Sequence, residues 1–282
     1  MAAGWMMAAN GILAGEPGRA WVPMGDYRYT INDILRQRDG ALVVASGNGL
    51  WRVPEDRDGM WVQMHDETLT EVSVVIQTEA GLVAGSPYGV AVSREDEAGV
   101  PRWTSLTEHL RVNARFTNAI VVDSQDSGRW LVGTEGGVIV GRENGKVWEE
   151  TLLNDTPVRS IVRRAGGWLA GSDSRGLLAS DDGIAWTEAG VEGAVFCVTI
   201  AGDRVVMGTD RGLVVQSEAG HRRVGPRALI RCLAVDPEDE DVWVAGADPG
   251  GLWWSTDAGA SWQNTSVAQR IRRIVVPEGG VS

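Results

Sequence analysis

The stretch from Val158 to Trp186, VRSIVRRAGGWLAGSDSRGLLASDDGIAW, carries the pattern that organises the whole chain. It divides into four short apolar runs separated by turn-forming residues. Val158–Arg164 is followed by a Gly-Gly turn and Trp168–Gly171. Leu177–Ser180 comes after Ser-Asp-Ser-Arg-Gly, and Ile184–Thr187 after Asp-Asp-Gly. Val, Ile, Leu and Trp favour strands, while Gly and Asp accept the backbone of tight reversals, so the unit reads as four antiparallel strands.

The unit recurs from one end of the sequence to the other. Its first run carries an apolar pair three residues apart: Ile31 and Ile34, Val72 and Val75, Val158 and Ile161, Val195 and Val198, Ile230 and Leu233, Ile271 and Ile274, with a weaker Thr117 and Ile120. Its last run carries a tryptophan at positions 21, 61, 103, 148, 186 and 262, and the double-length final interval marks a unit near His221-Arg222-Arg223 that lost this residue. Seven units of about 40 residues each match the size of a four-stranded propeller blade. The C-terminal segment Arg270–Val276 supplies a first strand with nothing after it. At the other end GWMMAANG, ILAG and RAWVPM supply a second, third and fourth. The two termini therefore complete one blade and latch the ring, removing the exposed edges that an open array of sheets would leave. The expected fold is all-β, a single domain over residues 1–282 forming a closed seven-bladed β-propeller.

Composition narrows the function. A net charge of -12 opposes nucleic-acid binding, which needs a basic surface to displace counterions. No apolar run reaches the roughly 18–20 residues of a membrane helix, and Met1–Gly15 lacks the basic residues that open a signal peptide, so a cytoplasmic location is expected. The two cysteines, Cys197 and Cys232, hold one repeat position in consecutive first strands and read as buried apolar thiols, bridged only if their Cα atoms approach within about 7 Å. No histidine pair has metal spacing, and His65, His109 and His221 read as solvated surface residues. No cofactor is expected.

Two turns before the outer strand have a recognisable form. Ser255-Thr256-Asp257-Ala258-Gly259-Ala260-Ser261-Trp262 fits Ser-x-Asp-x-Gly-x-Thr/Ser-Trp at every defined position, and Ser180-Asp181-Asp182-Gly183-Ile184-Ala185-Trp186 is one residue shorter. A carboxylate there caps turn amides, Gly permits the reversal and Trp covers it. The chain thus resembles the BNR/Asp-box propeller superfamily, which includes sialidases, seven-bladed xyloglucanases, sortilin-type receptors and photosystem II assembly factors. The resemblance implies that these boxes are structural and lie opposite the usual binding face. It names no function by itself.

Twelve of the thirteen tryptophans fall on repeat positions, and only Trp254 has no counterpart, so their number does not indicate a sugar-binding surface. A sialidase would need an arginine triad and a Tyr–Glu pair. Trp51-Arg52-Val53-Pro54 resembles that family's Arg motif in letters but falls late on a third strand, pointing to the Asp-box face. The turns joining second to third strands carry Glu135, Asp173, Asp210 and Asp248, a composition that suits turn capping as well as hydrolysis. The distinctive polar set is Arg159, Arg231 and Arg272 at one position early in first strands, with Arg273 beside the last and Arg175 and Arg211 in the acid-bearing turns. These are expected to gather at the channel mouth, either paired with the turn acids or presented to a partner. The reading that follows is a non-enzymatic protein-binding or scaffolding propeller. Its partner-binding candidates are Arg159, Arg231, Arg272, Arg175, Arg211, Asp173, Asp210 and Asp248, aided by the longer Leu106–Phe116 connection. The alternatives are a glycan hydrolase or lectin using that face, and a purely structural subunit docking through its rim.

Overall fold

The computed structural model describes residues 4–25, 28–37, 39–54, 59–95, 101–153, 155–265, 267 and 269–277. Among these, 28 strands form seven four-stranded antiparallel sheets arranged as a seven-bladed β-propeller. Blade 1 starts with Ile31–Arg36, blade 2 with Val74–Thr78, blade 3 with Thr117–Asp123, blade 4 with Val158–Arg164, blade 5 with Val195–Ala201 and blade 6 with Leu229–Val235. Blade 7 joins the termini: Arg273–Val275 pairs with Trp5–Ala9, which continues into Gly11–Gly15 and Val22–Met24. The strands are shorter than the sequence suggests in places. The outer strand of blade 4 is Thr187–Glu188, and His221 lies within the blade 5 outer strand Gly220–Val224.

The core lies between blades. Met6, Ala8 and Ile12 of blade 7 pack on Ile31, Ile34, Leu42, Val44 and Trp61 of blade 1, so the join is as apolar as any other interface. Second strands are buried on both faces, as in Trp5–Ala9 and Leu42–Ser46. Each of the fully buried Trp130, Trp168 and Trp243 removes a large apolar area from water, contributing about 4–6 kcal/mol by area. The unmatched Trp254 of blade 6 packs against Gly18 of blade 7.

The apolar pair three residues apart has a physical cause. Side chains on a regular strand return to one face every two residues, so a spacing of three needs one extra residue. In blade 4 Val158 pairs with Ser172 and Ser160 with Gly171, leaving Arg159 as the bulged residue while Val158 and Ile161 both face the core. Equivalent shifts bracket Asn32, Asn118, Phe196 and Arg231. The glycine opposite the bulge lets the next blade approach: a Cβ on Gly171 would stand 2.7 Å from the carbonyl oxygen of Val195.

Candidate functional site

In blades 1, 3, 4, 5 and 6 the bulge turns one residue towards the central axis, and Ser73 of blade 2 and Arg272 of blade 7 stand beside these. Asn32, Ser73, Asn118, Arg159, Phe196, Arg231 and Arg272 all line a channel of about 560 Å³, beside the turns that join second to third strands. The position predicted for the arginines is thus the channel mouth.

The mouth divides into two sectors of opposite charge. Arg159 Nε donates to both oxygens of Asp173 at 3.0 and 2.9 Å, and its terminal nitrogens reach Glu135. Asn118 Nδ2 also donates to Glu135, at 3.3 Å. Burial lowers the affinity of the Arg159 guanidinium for its proton, but the hydrogen bonds to Asp173 and Glu135 outweigh it and raise the pKa. One cation here faces two carboxylates.

Across the mouth the ratio reverses. Arg231 Nε donates to Asp248 Oδ2 at 2.9 Å, and Arg270 Nε reaches that same oxygen at 2.9 Å. The bond from Arg270, opposed by partial burial and joined by that from Arg231, holds the Asp248 carboxyl below the usual aspartate range. The Arg231 guanidinium also lies 4.9 Å from the centre of the Phe196 ring, within cation–π range. Arg272 stands half-buried beside them, and no side-chain hydrogen bond or ion pair engages it among the described residues. Burial, then the like charges of Arg270 and Arg231, push its guanidinium below the usual arginine range, with Asp248 only partly opposing.

The remaining candidates lie elsewhere. Arg175 does not line the channel; its Nε donates to Glu188 on the outer strand at 3.0 Å. Arg211 is 74% exposed and pairs with its neighbour Asp210 at 3.4 Å, in a turn at the surface. Arg273 points to Asp33 in the channel wall. The contributions of Arg270, Phe196 and Asp33 were not anticipated. Asp33 had a signal: it shares a repeat position with Ser160, and both accept an amide of the following blade, Val75 and Val198 respectively.

Beside the acidic sector the Leu106–Phe116 connection forms a single helical turn, Val112–Arg115. It is braced by Arg111 Nε donating to Glu150 at 2.7 Å, and by the Phe116 carbonyl accepting Glu135 N–H at 3.1 Å. Tyr88, Val112, Phe116 and Leu152 are exposed in this region, Leu152 by 85%.

At the two box-like turns, Ser255 Oγ donates to Asp257 at 2.7 Å, Asp257 accepts Ser261 N–H at 2.8 Å, and Trp262 Nε1 donates to the Gly259 carbonyl at 3.1 Å. Asp182 accepts the amides of Ile184 and Ala185 at 2.8 and 2.9 Å. Arg52, as its register required, pairs with Asp39 away from the mouth. His65 differs from expectation: it is half-buried, its Nδ1 lies 3.1 Å from the Leu50 amide nitrogen and 3.0 Å from the Leu50 carbonyl oxygen, and its ring meets Trp51 edge-on at 5.4 Å. Cys197 and Cys232 are free thiols; Cys232 is buried as expected, but Cys197 is half-buried in the channel wall. No helix among the described residues is long and apolar enough to cross a membrane.

These features define a seven-bladed β-propeller with a charged channel mouth. No protein-family model and no curated protein matches the sequence. Solved structures do. The extracellular domain of BT4673 from B. thetaiotaomicron, described as a one component system, superposes with a TM-score of 0.69 at 14% identity over 92% of this chain and 36% of that one. The extracellular domain of BT3049, described as a hybrid two component system from B. thetaiotaomicron, gives 0.67 at 14% identity over 99% and 46%. A chain of the mitotic checkpoint complex gives 0.67 at 13% identity, over 89% of this chain and 82% of that one. This chain therefore spans less than half the length of the two bacterial chains, and at these identities the likeness is one of fold.

Proposed function

We propose that this chain is a non-enzymatic protein-binding or scaffolding propeller of the BNR/Asp-box kind, docking a protein partner at the channel mouth. The observation that carries the reading is the mouth's unequal charge: on one side Arg231 and Arg270 share the Asp248 carboxylate while Arg272 has none among the described residues, and exposed apolar residues flank the other. Interfaces combine Arg with aromatic and apolar anchors in this way. The turns at Asp182 and Asp257, with their capped amides and tryptophan covers, support the superfamily assignment. The solved propeller from the mitotic checkpoint complex is a precedent for this fold within a protein assembly.

A glycan hydrolase would need two carboxylates free to act across a cleft. At this face Glu135, Asp173 and Asp248 are each held by arginine, and Asp210 sits beside Arg211. The glycan reading is correspondingly weaker. The net charge of -12 favours a protein over nucleic acid as partner. The cytoplasmic expectation gains no support from the similar bacterial propellers, which are extracellular domains.

The test is affinity purification of the tagged chain from its native host with mass spectrometry, beside a folded variant carrying Arg231→Glu and Arg272→Glu. A stoichiometric protein lost only in the variant is the expected result. Equal capture by both would move the contact to the rim, and no capture by wild type would discard docking.

A further inference from the structure

We infer that the Arg231, Arg270 and Arg272 corner of the mouth receives a carboxylate from an acidic segment of the partner protein, with Arg272 as the group that binds it directly. This rests on the docking reading above and specifies its chemistry.

Arg231 and Arg270 converge on one oxygen of Asp248, which leaves the corner with three cations and a single anion. Arg272 bears the excess. It is half-buried, lines the channel and has no hydrogen-bonding or ion-pair partner among the described residues. The contrast is with the equivalent position: Arg159, two blades before Arg231, is matched by two carboxylates. Composition does not account for the excess either, since the chain has 38 acidic residues against 26 Lys and Arg. A half-buried guanidinium crowded by like charges costs stability unless an anion joins it, and such costs are tolerated where a ligand relieves them.

The planar guanidinium fork matches a carboxylate with two parallel hydrogen bonds. Phe196 backs Arg231 on one side, so an arriving carboxylate meets oriented donors rather than freely moving ones. A macromolecular source is favoured because the same mouth carries Phe116, exposed and bonded through its carbonyl to Glu135 N–H, which a free small acid would leave uncovered. The overall negative charge repels extended acidic chains, so the site suits a short acidic stretch rather than a polyanion.

The test uses a fluorescein-labelled hexaglutamate peptide and fluorescence anisotropy at low ionic strength. The intact chain is compared with Arg272→Gln, Arg272→Lys and, on the blade 5 outer strand, Arg222→Gln. Saturable binding is expected for wild type and Arg222→Gln, with about tenfold or greater loss in Arg272→Gln, the scale of a lost charge-assisted pair. Arg272→Lys, which keeps charge but not the fork, should fall between. Thermal melts of the variants establish that they are folded. Absence of saturable binding to wild type, or an equal loss in Arg222→Gln, overturns the inference. So does displacement of the peptide by glutarate or inorganic phosphate at equal charge concentration, which would make the occupant a small anion. A protein captured from the host by wild type and Arg272→Gln alike, with no peptide binding, sinks this inference and leaves docking intact. Arg272-dependent peptide binding without any captured protein does the reverse.

Discussion

Asp33 and Arg273 meet across the seam of the ring, with Arg273 Nε 3.2 Å from Asp33 Oδ1. The arginine stands on the C-terminal strand of blade 7 and the aspartate on the first strand of blade 1. The carboxylate also accepts Ile34 N–H at 3.0 Å and, through Oδ2, Val75 N–H of blade 2 at 3.1 Å. One side chain thus ties three consecutive blades. Burial pushes its carboxyl above the usual aspartate range, against the opposing pull of Arg273 and the two amides. Asp33→Ala takes this acceptor from the buried Ile34 and Val75 amides and is expected to cost about 1–3 kcal/mol. Arg273→Ala leaves the acid its two amide donors, and the arginine side chain is 59% exposed, so it should cost about 1 kcal/mol or less. Urea unfolding of both variants checks the order; the reverse order would make the ion pair, not the amides, the dominant tie.

In blades 3 to 6 the glycine opposite the bulge sets how closely the next blade approaches, whereas blade 1 has Ala45 there. At Gly208 an added Cβ would stand 2.5 Å from Cys197 Sγ and 2.7 Å from the carbonyl oxygen of Ile230 in the next blade. Neither the backbone oxygen nor the enclosed sulfur can yield cheaply. Gly208→Ala should therefore destabilise by about 1–3 kcal/mol through overpacking. A calorimetric melt of the variant that matched wild type would show that the blades can separate there without cost.

Why the fold was legible and the site only partly so follows from these positions. Each blade repeats the pairs at Val158 and Ile161 or Val195 and Val198, so seven noisy copies of one pattern reinforce each other, and the termini could be joined by what each lacked. The spacing of three already encoded the bulge, because no regular strand returns a side chain to one face at an odd interval. Arg159 and Asp173 were legible as a pair because both positions recur. Arg175 was not: register places its backbone in the turn, but the long side chain swings to Glu188. Arg270 precedes the regular part of the last blade, where the repeat no longer fixes orientation, so its hold on Asp248 was invisible in the sequence.

The box at Asp257 gives a pH signature. Hydrogen bonds from the Ser261 hydroxyl and amide, then from Ser255, lower its carboxyl from 3.8 to about 2. A depressed folded-state pKa contributes stability that is complete above the unfolded value and disappears as pH falls through the folded one. The difference in melting temperature between wild type and Asp257→Ala should therefore be full at neutral pH, narrow below about pH 4 and vanish towards pH 2. A difference that stayed constant over that window would mean the acid makes no bond dependent on its charge.

The two thiols offer a test of the channel wall. Burial pushes Cys197 up to about 12 and raises Cys232 further, so neither carries an appreciable thiolate fraction near neutrality. Iodoacetamide should label no cysteine in the folded chain and two in denaturant. Rapid labelling of Cys197 in the native state, read by intact mass, would place its sulfur in the open channel instead of against Gly208.

Charge reversal at the mouth should separate two arginines that the sequence treats as equivalent. Arg159→Glu puts a third acid beside Glu135 and Asp173, removing the cation that holds them together, and is expected to destabilise the fold by about 1–3 kcal/mol. Arg272→Glu does the opposite. It removes a cation crowded by Arg231 and Arg270 and supplies them with a second carboxylate, so the melting temperature should rise, by an amount equivalent to about 0.5–1 kcal/mol. The more stable protein should also be the one that has lost carboxylate binding. Stability gained at the expense of recognition is the behaviour of a residue held in place for a ligand. If Arg272→Glu instead destabilised the chain as Arg159→Glu does, Arg272 would be a structural cation like Arg159, and the mouth would have no cation left unmatched.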